Sequence, residues 1–255
     1  MYLNRDRLAP APVPAYHLPM GLRSFVTVPR PRAAYATAVL SLAAAGLMLW
    51  SRHGGPREFA MAFTAVASAS FVITALLGGA LGSRYGRLMA AGLVFCMLGD
   101  LLGPGDFMLG LYAFLIAHFG VTGAFIAKGV DRRNLVVSAV ASTIASLCVY
   151  FLWLGPHVPP GEQAQIVGYT VVITVMLVFA GATPRFRGRR TALAGAVLFY
   201  LSDVFLANWR YVDTGRWNAF VCYPLYYTAC VLLALSVLAT RRNVDADAMA
   251  TESAA

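Results

Sequence analysis

Lysine is nearly missing from this chain. Of 20 basic residues all but one are arginine, and the single lysine, Lys128, closes an apolar run instead of sitting inside one. A mid-membrane Schiff-base lysine of the retinal type is therefore excluded. Charge of either sign is scarce: 12% of residues are charged and 59% are hydrophobic, where an ordinary soluble domain is about a quarter charged. A soluble core of this size would lack the polar shell to enclose it, and the composition points to lipid. The four cysteines, Cys96, Cys148, Cys222 and Cys230, fall within apolar segments and read as small buried hydrophobes, not as a disulfide framework. No CxxC or Cys/His spacing suggests a metal. The net charge of +9 does not argue for nucleic acid, because the basic residues cluster between apolar runs and line no single face. The first 32 residues hold six prolines and no long apolar run. They are neither a cleavable signal nor a helix, and a flexible cytoplasmic tail is expected there.

What is present is a series of apolar runs, at about 33–50, 59–82, 88–103, 107–127, 134–154, 164–182, 191–208 and 218–240, bounded by Gly, Pro or Arg and without strand alternation. At about 20 residues per crossing, the expected architecture is an all-α integral membrane protein. It has eight transmembrane helices over 33–240 and a flexible C-terminal tail at 241–255. Gly103-Pro104-Gly105 joins the third and fourth helices closely enough for a tight helical hairpin. Sixteen of the basic residues fall on one side of such a bundle and four, Arg52, Arg57, Arg210 and Arg216, on the other. The positive-inside rule then places both termini in the cytoplasm, with Trp153, Trp209 and Trp217 at the outer interface. The protein is expected to be multi-pass, in the inner membrane if the cell is bacterial.

Laying the third helix on the seventh at an offset of 103 pairs residues 91–100 with 194–203, and five of the ten pairs are identical. Arg132-Arg133-Asn134 and Arg241-Arg242-Asn243 follow the next helix in each half at an offset of 109. Two four-helix halves of the same orientation, related by a parallel repeat, are expected from this.

Of the eleven acidic residues only Asp100 and Asp203 fall inside apolar helices, and each lies 13 residues after a basic turn, at Arg87 and Arg190. At 1.5 Å per residue they share a depth, in the outer half of the bilayer. An ionised carboxylate in hydrocarbon costs at least ~2.5–3.5 kcal/mol, so both should face the bundle interior or a wet cavity. Two neighbouring carboxyls there can differ in protonation, which is what a general acid paired with a general base requires. Alternatively, each aspartate only takes a hydrogen bond from a Tyr or Ser on a neighbouring helix. His118 sits nearer mid-membrane and can either orient a substrate or close one interhelical bond. Offset 109 carries it to Tyr227, so Tyr226 and Tyr227, with Tyr223, are candidate phenol donors to the same cavity. Gly99 and Ser202, just before the aspartates, allow close helix approach.

Gly99-Asp100, Phe114 with His118 and Phe125, Ser202-Asp203 and Tyr226-Tyr227, in this order over residues 88–237, resemble the motifs of the YhhN/TMEM86 family, the lysoplasmalogenases. The chain departs from that pattern at Arg57 to Phe59, where a Lys-Pro pair is usual, at Val121 and at Cys230. The resemblance implies hydrolysis of the vinyl ether bond of a lysoplasmalogen to a fatty aldehyde and a glycerophospho-ethanolamine or -choline. The substrate would be a single-chain lysophospholipid drawn from the bilayer, and no nucleic acid, metal or cofactor is called for. Asp100 and Asp203 would be the acid and base in an unassigned order, with His118, Tyr226, Tyr227, Ser202 and Gly99 binding or orienting the substrate. An ester-linked lysolipid or another enol ether fits the same site. A proton-coupled transporter of a small molecule or lipid also suits paired acids in a four-plus-four repeat, although no Pro/Gly-broken helix recurs in both halves. A non-catalytic membrane scaffold is the third reading. No motif encodes the oligomeric state.

Overall fold

The computed structural model describes residues 28–252. Eight helices in it are long and apolar enough to cross a membrane, and the chain is an integral, multi-pass membrane protein. They are α1 (Pro31–His53), α2 (Ala60–Leu77), α3 (Arg84–Leu102), α4 (Phe107–Ala127), α5 (Arg132–Val149), α6 (Gln163–Ala182), α7 (Arg189–Tyr211) and α8 (Trp217–Glu252). No strand occurs among the described residues. The expected N-terminal tail lies outside the described residues except for 28–32, where Pro31 already opens α1 at a position that needs no amide hydrogen. α8 runs as helix to Glu252, beyond Thr240, where its apolar span ends.

Every helix except α4 packs on its successor, α4 packs on α6 instead, and α8 closes the bundle against α1, α2 and α3. Most of α8's span is buried; α5 is the peripheral helix, with Val136, Val137, Val140 and Ile144 exposed toward lipid. Local signals set several helix starts. Ser83 accepts from the Gly86 amide at 3.0 Å, Asp106 from Met108 and Leu109, and Asp131 from Asn134 at 2.8 Å. Each cap is worth about 0.5–2 kcal/mol. At its far end α5 loosens into a π-turn, Tyr150–Leu154, and a 3-10 turn, Gly155–His157.

Glycine brings α3 and α4 unusually close. A Cβ added to Gly120 would stand 2.9 Å from the Gly92 Cα, so these two backbones meet without side chains between them. About two helical turns further along, Gly99 leaves room for the Phe114 ring, which a Cβ there would meet at 2.7 Å. This seam fixes the α3 aspartate relative to the α4 histidine.

Candidate active site

One cavity of about 220 Å³ lies toward the end of the bundle formed by the α1–α2, α3–α4 and α7–α8 connections. Asp100 and Asp203 both line it, as do Gly99, Ser202, Tyr226 and Tyr227. His118 does not; it is fully buried one layer behind Asp203. The helices reach beyond the aspartates by different lengths: α3 ends two residues after Asp100 and α7 eight residues after Asp203.

Asp100 is held from two sides. Its Oδ2 accepts from the Ser68 hydroxyl on α2 and from the Tyr226 phenol on α8, the latter at 3.0 Å. Tyr226 is itself fixed by edge-on contacts with Phe71, Phe114 and Phe199. Asp203 has the corresponding arrangement in the other half. The Tyr169 phenol on α6 donates to its Oδ2 at 3.0 Å, and His118 Nε2 on α4 stands 3.4 Å from the same oxygen. In each case the aspartate of an odd-numbered helix is met by a hydroxyl from the preceding helix and a ring from the fourth or eighth. Asp203 also borders a second, smaller cavity of about 50 Å³, on the Tyr169 side.

The imidazole determines where a proton sits. His118 Nδ1 is 2.6 Å from the Phe114 carbonyl oxygen, which can only accept, so Nδ1 carries hydrogen. Nε2 has no aligned hydrogen bond and faces only the Asp203 carboxyl. His118 and Asp203 thus form a contacting imidazole–carboxyl pair between α4 and α7. Asp100 takes its two hydrogen bonds from hydroxyls, of Ser68 and Tyr226.

The other expected site residues divide. Tyr227 lines the cavity and stacks at 5.0 Å on Tyr226. The Ser202 hydroxyl turns back to the Phe199 carbonyl at 2.7 Å, so it spaces the helix and offers no free hydroxyl. Gly99 admits Phe114, as described. Ser68, Tyr169 and Arg52 are at the site and are not singled out by the sequence. Ser68 is one of several small polar residues buried along α2, and nothing local distinguishes it. Tyr169 corresponds to Ser68 across the halves at an offset of 101, close to the 103 of the aspartates, and that alignment is the signal that reaches it.

The model of the YhhN family matches residues 59–237, a stretch that takes in every group just described except Arg52. The chain belongs to the YhhN family. Among this family member's curated relatives, lysoplasmalogenase TMEM86B of Rattus norvegicus is 32% identical over 162 residues, covering 62% of this chain and 64% of that protein. Lysoplasmalogenase TMEM86B of Mus musculus is 32% identical over 157 residues, 59% and 63% of the two chains. Lysoplasmalogenase TMEM86A of Homo sapiens is 29% identical over 186 residues, 69% and 75%. The YhhN-family chain thus spans a little under two thirds of the length of the first two. No solved structure matches it.

Proposed function

We propose that this YhhN-family protein is a membrane ether hydrolase that cleaves the vinyl ether bond of a lysoplasmalogen. The observation that carries the reading is a single cavity lined by Asp203, which His118 meets, and by Asp100, which Tyr226 meets; in the proposed reaction the first starts protonated and the second as a carboxylate. The names of its relatives supply the substrate class.

Vinyl ether hydrolysis requires those two states. The Asp203–His118 pair delivers its proton to the outer alkene carbon, and the positive charge develops at the carbon bearing oxygen as an oxocarbenium ion. Asp100 lies on the same cavity as an anion, stabilises that charge and takes a proton from the attacking water. The hemiacetal formed collapses: the ether oxygen leaves with the proton held by Asp100, and the hemiacetal hydroxyl returns its proton to the Asp203–His118 pair. The products are a fatty aldehyde and the glycerophospho head group, with one water consumed and both carboxyls restored. Tyr226 and Tyr227 flank Asp100, and Ser202 and Gly99 set the helix spacing that leaves room for the chain.

Aldehyde release from lysoplasmalogen by the purified protein in detergent tests this. Wild type should produce aldehyde, and Asp100→Asn and Asp203→Asn should each lose it by about 10²-fold or more. Undiminished aldehyde in both variants would overturn the assignment. Solute uptake into liposomes without any aldehyde would replace it with transport.

A further inference from the structure

The cavity holds one cation that the reaction does not use. Arg52, in the last turn of α1, lines the same space as Asp100 and Asp203. Its Nη1 donates to the Tyr223 phenol at 2.7 Å, and its guanidinium carbon lies 5.1 Å from the centre of that ring. Tyr223 is fixed in turn by an edge-on contact with Trp209 at 6.0 Å. The Nε is enclosed and has no hydrogen-bond partner. Arg52 takes part in neither the His118–Asp203 nor the Arg210–Glu162 ion pair, and among the described residues no carboxylate comes within ion-pair distance of it. The other three arginines of this end are placed differently. Arg57 and Arg216 are exposed, and Arg210 stands 3.8 Å from Glu162 and stacks on Phe107.

A half-buried guanidinium with open donors, held rigid by an aromatic clamp, is the arrangement that captures a phosphate, because its planar fork matches two oxygens at once. From this we infer that Arg52 is the head-group site, binding the phosphodiester of a single-chain lysophospholipid so that the sn-1 linkage lies against the aspartates. The inference rests on the proposed lysolipid reading for its substrate class. A soluble glycerophosphodiester carries the same chemistry. The lysolipid is favoured because Phe107, Leu111, Phe114 and Leu206 give the cavity an apolar wall suited to an acyl or alkyl chain.

Binding separates this from turnover. The probes are a saturated 1-O-alkyl-glycerophosphoethanolamine, which has no vinyl ether to cleave, the 1-O-alkylglycerol that lacks phosphate, and free glycerophosphoethanolamine. Each is titrated against the full-length protein in detergent. Wild type should bind the phospholipid at least tenfold more tightly than either other probe. Arg52→Gln should abolish the preference over alkylglycerol while leaving alkylglycerol binding intact, which also shows that the variant is folded. Arg52→Lys should keep part of it, as a point charge without the fork. An unchanged preference in Arg52→Gln, or none in wild type, overturns the inference. Equal affinity for free glycerophosphoethanolamine overturns the lysolipid assignment. A phosphate preference that depends on Arg52, found in a protein that releases no aldehyde, would leave this site standing and remove the hydrolase.

Discussion

An imidazole whose Nδ1 is committed to a carbonyl can offer only Nε2, and in this protein that atom meets only a carboxyl. In the proposed reaction its contribution is to pass a proton to and from Asp203. Replacing His118 with Gln keeps a polar amide but removes the second place for that proton. A fall in kcat of about 10–10²-fold is expected, with little change in KM because His118 does not line the cavity. Asp203→Asn should cost more than His118→Gln, and the double variant little beyond Asp203→Asn alone, since groups acting as one unit do not add. Additive losses would mean that the two residues act separately. At the other aspartate, Tyr226→Phe removes one phenol donor from Asp100. A hydrogen bond to a charged group is worth about 1.5–3 kcal/mol, so activity should fall roughly tenfold to a hundredfold in an aldehyde-release assay while the packing of the ring is kept.

At the scale of elements, the α3–α4 seam positions the site without touching substrate. Gly120→Val puts branched carbons where Gly92's backbone lies 2.9 Å from a Cβ, and α3 must move away from α4. The expected result is a loss of several degrees in thermal unfolding together with reduced activity. Gly46→Ala and Gly168→Ala, with nothing within 4 Å of the added carbon, should be neutral or slightly stabilising. The α7–α8 connection offers a pH test. Asp213 accepts from the Gly215 amide at 2.8 Å and the Trp217 indole at 2.7 Å, and the Gly215 bond above all holds its carboxyl below the ordinary value of 3.8. A depressed carboxyl contributes stability that is present above its unfolded pKa and is lost as pH falls through the folded one. Asp213→Asn should therefore melt below wild type at neutral pH, and the difference should close in strong acid. Most of this level was open to sequence reading, because apolar length, glycine and caps are local properties. Of the aspartates' partners, Tyr226 and His118 were legible too, and Tyr169 is reached only through the offset of 101. Ser68 is one small residue among many on α2, and Arg52 beside Gly54-Gly55 reads as a loop charge. Only the crossing of α2 with α3 brings Ser68 to Asp100, and only that of α8 with α1 brings Arg52 to the cavity that Asp100 lines.

For the whole molecule, eight crossings return the chain to the side on which it started, and we propose from the sixteen-to-four arginine and lysine bias that this side is the cytoplasm. The cavity is lined from the opposite end, by residues at the far ends of α1, α3 and α7 and the near ends of α2, α4 and α8. The site should then sit in the outer half of the membrane, with Arg52 at head-group level and the aspartates below it, taking lysolipid from the outer leaflet. Single cysteines test this in a background where Cys96, Cys148, Cys222 and Cys230 are replaced. Gly161→Cys and Arg216→Cys, in connections of the cavity end, should react with a membrane-impermeant maleimide added to sealed cells. Arg133→Cys and Arg185→Cys should react only after the membrane is opened. The opposite pattern would turn the cavity toward the cytoplasm, and the lipid reaching Asp100 and Asp203 would then have to come from the inner leaflet.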